Sequence, residues 1–520
     1  MNDALDRLER NILTNDELNV ERQESIAHRH PGAYQFFLTC ITIAGYTFIF
    51  GLPIIVLLLS AFIPKQIISA ADFVSVSVIF IEIAIALIAA SLSATLFQLK
   101  TILPPGRPLS PDEAPKLIAL IDELNLSYSP HKRQPKIQQI KISQNFEIAV
   151  IKTPKNGFPV FFTNTLVLGL PLLQCHSPKQ LKNLISHEII RLSGSRSRLS
   201  SWLYFSGSYW KQYNLALKKQ VKSPNIFLLI FFAWFSPLYQ LLAQEVEKLE
   251  CLNVDKLLND KISSEDLSDA LIQYCISLKY LNDSFWPNLN EKAYRHKTPP
   301  YLPYTNIERS LKSKLDDITR QSWLDSALFD TAEQASTPSL VNRLKQLNIN
   351  NPSLPGALQN SAAAYFLGDT LPVLIQQMDK IWKVSNQFIW QKKYTRGQSE
   401  RADLSELTVQ ADQGLLSDER IWDYIQLIKR HKDEQQAAIN YKEILKLNTQ
   451  DPRISFEIGK TLLEQMDNDG IKALERTMQQ EAGYTVMACQ VLTRYYSRIG
   501  DNRSAQSCRR RSLAHQVNAV

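Results

Sequence analysis

Two apolar runs near the beginning of the chain limit what it can fold into. The first, Phe36 to Ile63, reads FFLTCITIAGYTFIFGLPIIVLLLSAFI and carries no charged residue. The second, Phe73 to Phe97, carries one, Glu82. At about 1.5 Å per helical residue, each is long enough to cross a hydrocarbon core of about 30 Å. A buried helix of a water-soluble protein rarely stays uncharged for so long, so the runs are expected to form a transmembrane helical hairpin over 36–97. Gly51 and Pro53 are compatible with a kinked span. A long polar segment of mixed charge precedes the first run, which reads as a signal anchor and not as a cleavable signal peptide. Arg7, Arg10, Arg22 and Arg29 lie before the hairpin and Lys100, Arg107 and Lys116 after it, whereas the connecting IPKQIISAAD holds one Lys and one Asp. The positive-inside rule then puts both ends, including an N-terminal segment 1–35, in the cytoplasm. Glu82 reads either as a functional group or as a protonated or helix-paired carboxyl.

A third apolar run, Ile226 to Leu242, is shorter and contains Pro237. If it crossed the bilayer, the chain before and after it would lie in different compartments. A buried or membrane-resting helix is the favoured expectation.

The remainder of the 520 residues is enough for two or three domains. A net charge of +7 is modest for this length, and no dense Lys/Arg stripe with interleaved aromatics is present, so no nucleic-acid partner is expected. The six cysteines are scattered without a C-x-x-C pair, which argues against a disulfide framework or a zinc ribbon and suits a reducing compartment. Only 16 glycines lean the fold towards helix.

After the hairpin, LPPGRPLSPDEAP is a proline-rich exit, followed by a helix over KLIALIDELNL. KIQQIKISQNFEIAVIKT alternates and predicts one or two strands; NGFPVFFTNTLVLGLPLL is strand-like again. A helix then starts at Ser177-Pro178, an N-cap with proline at the first helical position. Near the C-terminus, Ala438, Ala473 and Ala505 recur at spacings of 35 and 32 residues, close to the roughly 34-residue tetratricopeptide period. Tyr441, Leu462, Tyr495 and Gly500-Asp501 fit the same pattern. A helical repeat region over 410–515 is expected, with a plain helical bundle as the alternative; such arrays commonly bind peptides or partner proteins.

The helix from Ser177 contains LISHEIIRLSG, residues 184 to 194. Zinc peptidases place two histidines one turn apart, H-E-x-x-H, so that both imidazoles reach one metal ion while the glutamate deprotonates its water. His187 and Glu188 are in place, but Arg191 stands where the second histidine would be.

The surrounding stretch TLVLGLPLLQCHSPKQLKNLISHEIIRLSGSRSRLSSWLY resembles the membrane-bound gluzincins related to the heat-shock protease HtpX and the CAAX prenyl proteases. The likeness continues through FFAWFSPLYQLLAQEVEKLECLNVDKLL, similar to the segment ending in E-x-x-x-A-D. SFWPNLNEKAY followed by TPPYLPY is similar to a Phe-Trp and Pro-Pro pattern of one bacterial subgroup. FDTAEQASTPSLVNRLKQLNI is similar to a D-T-H-P-x-L-x-x-R-L stretch. The match covers roughly 110 to 385. It implies an α+β zincin-like metallopeptidase domain over 105–390, mainly α with a small β-sheet, behind a membrane hairpin. It also implies a multi-pass protein of a bacterial-type inner membrane with its soluble domain facing the cytoplasm.

Carried over by position, the resemblance makes His187 the first zinc ligand and Glu188 the general base. It puts Cys251 at the third-ligand position, with Glu250 and Glu247 out of register, and Thr337 in place of a histidine. Arg191 has no lone pair to offer a cation and stays charged. Its i+3 spacing from Glu188 allows an ion pair on one helix face. The expectation is a catalytically silent family member acting as a binding or regulatory module, with no cofactor. The alternative is an active zinc endopeptidase using His187 with Cys251 or Glu250; the remaining alternative is an unrelated membrane protein whose H-E pair is accidental.

Overall fold

A computed structural model describes residues 29–69, 73–98, 103–128, 135–154, 162–193, 198–220, 226–314, 316–329, 337–446 and 451–518. Most of the expected N-terminal segment 1–35, Lys100 and the stretch 330–336 lie outside the described residues. The chain falls into two compact units: Met1–Leu271 with Asp330–Ser353 and Gln359–Thr370, and Ile272–Phe329 with Leu354–Leu358 and Leu371–Val520. The segment 105–390, expected as one domain, is therefore shared between them.

The first unit opens with two long apolar helices, α1 (Pro31–Ser69) and α2 (Phe73–Gln98). Helix α1 runs six residues past Ile63, where the sequence reading ended the first run, because Pro64 is carried inside the helix. The expected loop shrinks accordingly, and its residues 70–72 are not among those described. Glu82 is met by Gln66, whose Nε2 donates to Oε1 at 3.3 Å. That is the inter-helix pairing held open as one of its two readings.

Strand β1 (Arg107–Pro108) and helix α3 (Pro115–Tyr128) lead to β2 (Gln139–Ser143), β3 (Ile148–Pro154) and β4 (Phe162–Gly169). The sheet order is β1-β2-β4-β3, with β2 parallel to β4 and the other two pairings antiparallel. Strand β3 is thus an edge, aligned so that Val150 opposes Leu166. The expected strand over GLPLL ends at Gly169; Leu170–Cys175 is a short helix, α4, with Pro171 in its first turn, where a missing N–H costs nothing.

Helix α5 (Pro178–Ser193) starts where the sequence predicts. Ser177 Oγ accepts from the Gln180 N–H at 3.3 Å and Gln180 Oε1 from the Ser177 N–H at 2.9 Å, a reciprocal capping box. It packs on α3, β3 and α7.

Two further helices follow, α6 (Arg198–Gln220) and α7 (Ile226–Asn259). The third apolar run and Cys251 belong to one continuous helix. Helix α6 runs antiparallel beside α7: the Tyr239 hydroxyl donates to the Leu203 carbonyl at 2.9 Å, and Tyr213 lies 5.6 Å from Phe232 between ring centroids. The chain goes out along one helix and returns along the other, so the ends nearest α5 stay together whatever α7 crosses. Leu38 and Ile49 of α1 share a buried cluster with Leu203 and Trp210 of α6 and with Phe232 and Tyr239 of α7. By length and composition α1, α2 and α7 are each able to cross a membrane.

The first unit is completed by the start of α8 (Ser264–Tyr280), and then, later in the chain, by α12 (Leu340–Gln346) and α13 (Ala362–Leu367). The second contains α9 (Trp286–Glu291), α10 (Pro303–Lys314), α11 (Asp317–Phe329) and the 43-residue α14 (Thr370–Asp412). Asp379 of α14 caps α10 by accepting from the Tyr304 and Thr305 N–H groups at 2.9 and 3.2 Å. Six helices follow as three consecutive pairs: α15 (Asp418–His431) with α16 (Glu434–Lys446), α17 (Pro452–Glu464) with α18 (Asp469–Gln480), and α19 (Thr485–Arg498) with α20 (Asn502–Asn518). Tyr441, Leu462 and Tyr495 are buried, as are Ala473 and Ala505; in the first pair it is Ala437, not Ala438, that is fully buried. The backbones of α17 and α18 touch: a Cβ on Gly470 would lie 2.5 Å from the Gly459 carbonyl oxygen.

Candidate metal centre

Helix α5 presents His187, Glu188 and Arg191 on one face, as an i, i+1, i+4 set does, and α7 presents Cys251 and Asp255 one turn apart. The two faces meet. His187 Nε2 is 3.7 Å from Cys251 Sγ and 3.4 Å from Asp255 Oδ1. Among the described residues these three form a buried group whose donor atoms all lie within 4.8 Å of one another, a group able to hold a metal ion. Glu247 and Glu250 are not in it.

Every charged member of the cluster has an opposite neighbour. Arg191 Nη2 is 3.0 Å from Glu188 Oε1, and that oxygen is 3.6 Å from His187 Nδ1. On the far side of the ring, Asp255 is gripped by Arg343 of α12, Nε to Oδ2 at 2.7 Å and Nη2 to Oδ1 at 2.6 Å. The order Arg191, Glu188, His187, Asp255, Arg343 alternates in sign when the imidazole is protonated. Burial works against a charged ring, but the Asp255 and Cys251 contacts outweigh it and hold the His187 pKa up at about 10. Burial likewise pushes the Glu188 carboxyl up, and the Arg191 guanidinium beside it, helped by His187, brings it below the usual carboxylate range. The Arg191 guanidinium is further fixed by Tyr204 of α6, to whose hydroxyl Nη1 donates at 3.0 Å.

The donor set can be tested against zinc. With Zn–N and Zn–S bonds of about 2.0 and 2.3 Å, neighbouring ligands of a tetrahedral site stand roughly 3.5 Å apart. The observed 3.7 and 3.4 Å match that spacing. The charge environment does not match it. Both oxygens of Asp255 already accept from Arg343, Glu188 beside the ring is paired with Arg191, and the Arg191 guanidinium puts a fixed cation one helical turn from His187.

Of the residues singled out from sequence, His187, Glu188, Arg191 and Cys251 come together. Thr337 is exposed, unlike the buried cluster. Arg343 and Asp255 were not recognised as a pair. Their signal was present in the S-L-V-N-R-L stretch and in the N-V-D shortly after Cys251, one cation and one anion each set beside apolar residues. No protein-family model matches the chain, and a search of curated proteins finds no significant match.

Proposed function

We propose that this chain is a membrane-anchored, zincin-like protein whose former catalytic centre is a closed ionic cluster, and that it works as a binding or regulatory module. One observation carries the proposal: Arg191, at the position of the second ligand, pairs at 3.0 Å with Glu188, the carboxylate that would act as base. A general base must be free to take a proton from water, and a metal centre must tolerate no fixed cation among its ligands. The apolar hairpin α1–α2 would anchor the protein in an inner-membrane-type bilayer with the sheet and α5 on the cytoplasmic side, as the flanking arginines and lysines favour. The three C-terminal helix pairs, read as degenerate tetratricopeptide-like repeats, would supply a surface for a protein or peptide partner.

The donor spacing around His187 favours a second reading, a zinc endopeptidase with a rearranged His187–Cys251–Asp255 site. Metal content of the full chain purified in detergent separates the two. Protein without stoichiometric zinc and without casein cleavage is the expected result. One zinc per chain, lost in His187→Ala together with caseinolysis, would overturn the proposal in favour of the enzyme.

A further inference from the structure

Two cavities in the first unit share a wall. One, of about 230 Å³, opens beside the edge strand β3 and the end of α5, and is lined by Lys152, Phe162, Ser193, Trp202, Phe205 and Ser206 among others. The second, of about 430 Å³, runs along α1 and is lined by Ile43, Tyr46, Phe50, Gly51, Ile54 and Trp202. Tyr46 and Trp202 line both, with their rings stacked at 5.6 Å.

The two ends differ in chemistry. The cation of the first cavity is Lys152, half-buried on β3, its Nζ 3.8 Å from the centre of the Phe205 ring. Among the described residues no carboxylate pairs with it. An aromatic face replaces only part of the hydration that burial removes, and burial pushes the Lys152 pKa down to about 8. Three of the cavity's hydroxyls are already engaged as donors, Ser193 to the Ile190 carbonyl, Ser201 to that of Arg191 and Ser206 to that of Trp202. The second cavity is mostly apolar, and apart from Trp202 its walls belong to α1. Ile43 and Ile54 are both more than half exposed, on a helix apolar enough to cross a membrane. An ammonium without a carboxylate partner on one side of the Tyr46–Trp202 pair and exposed hydrocarbon on the other call for an amphiphile with a negative head.

We propose that the two adjoining cavities bind one anionic phospholipid draped over the Tyr46–Trp202 pair, its phosphate against Lys152 Nζ and one acyl chain along α1 between Ile43 and Ile54. A peptide ending in a carboxylate makes the same head contact but has to bury unpaired backbone groups in the apolar half. Free phosphate leaves that half unused. The proposal rests on α1 lying in the bilayer and is independent of whether the His187 cluster holds metal.

Trp202 supplies the probe, because it touches both cavities. The full chain is reconstituted in phosphatidylcholine vesicles containing either dibrominated phosphatidylglycerol or dibrominated phosphatidylcholine, and bromine quenching is compared between wild type and Trp202→Phe. The Trp202 component is expected to be quenched more strongly by the anionic lipid. Lys152→Met should weaken the preference about tenfold, the loss of one charge-assisted hydrogen bond, while Lys152→Arg retains it. Gly51→Leu narrows the groove from a position where an added Cβ meets nothing within 4 Å, and quenching by both lipids should fall, with an unchanged circular dichroism spectrum as the check on folding. Equal quenching by the two lipids in the wild type would overturn the proposal, as would a preference that survives Lys152→Met. Full reversal by inorganic phosphate or by a short peptide carboxylate would do the same and assign the site to that ligand.

Discussion

Replacing Arg343 by Met tests the ionic cluster at its strongest link. The guanidinium meets Asp255 in a two-bond fork at 2.6 and 2.7 Å, with the carboxylate side chain only 4% exposed and the guanidinium 15%. At 2.7 Å and an effective dielectric constant of about 20, the attraction is about 6 kcal/mol. The Met stem preserves the packing but leaves a buried carboxylate with only the His187 ring beside it. Stranding one partner of a buried pair costs about 3–5 kcal/mol, less than the bare attraction because water and neighbours relax around the orphan. At roughly 2–4 °C per kcal/mol for a unit of this size, the melting temperature should fall by about 10 °C. The assay is thermal unfolding of the full chain in detergent, followed by tryptophan fluorescence, for Arg343→Met, Asp255→Asn and the double variant. Because the residues touch, the double variant should recover much of the loss, with a coupling of about 2 kcal/mol or more. A coupling below about 0.5 kcal/mol, the value of an exposed pair, would refute the claim that this bridge is a buried strut between α7 and α12.

Three further outcomes are expected. Arg191→His combined with Cys251→Glu should raise zinc affinity, measured by calorimetry, above that of the wild type; no gain would count against the alignment that puts Cys251 at a third-ligand position. Lys152, ordinarily titrating near 10.5, sits at about 8 in the folded protein, so between those values the unfolded chain holds more protons than the native one and stability rises with pH. The difference in melting temperature between wild type and Lys152→Met should therefore narrow from pH 8 to pH 10; a constant difference would contradict the burial assigned to that ammonium. Gly470→Ala should destabilise the helix pairs by about 1–3 kcal/mol, the usual cost of overpacking, since the new methyl would press on the Gly459 carbonyl; denaturant unfolding monitored by circular dichroism reads the effect.

How far the fold could be read in advance depended on how locally each part is encoded. The α1–α2 pair and the start of α5 follow from short-range signals, an uncharged apolar run and a Ser-Pro-x-Gln cap, and they stand where those signals put them. Helix α6 was passed over, although Leu203, Ser206, Trp210, Tyr213 and Leu217 are all buried at spacings of three and four residues. Its interior face mixes serine and tyrosine with leucine and tryptophan, so hydrophobicity alone hides the period. Leu170–Leu173 reads as strand in the sequence, because so short an apolar run gives periodicity nothing to decide on, yet it starts the helix Leu170–Cys175. Within the site, Glu188–Arg191 could be anticipated because it lies on one turn of one helix. Asp255–Arg343 joins residues 88 positions apart, a distance over which only the folded chain brings charges together.

The alternation of sign across α5, α7 and α12 has an evolutionary corollary. Any lone replacement within Arg191, Glu188, His187, Asp255 and Arg343 orphans a neighbour in a region that water scarcely reaches. A lineage starting from this arrangement could alter or lose the cluster only by changing separate helices in concert. Such interlocking guards the centre against drift, and paired changes at these positions are the trace it would leave among descendants.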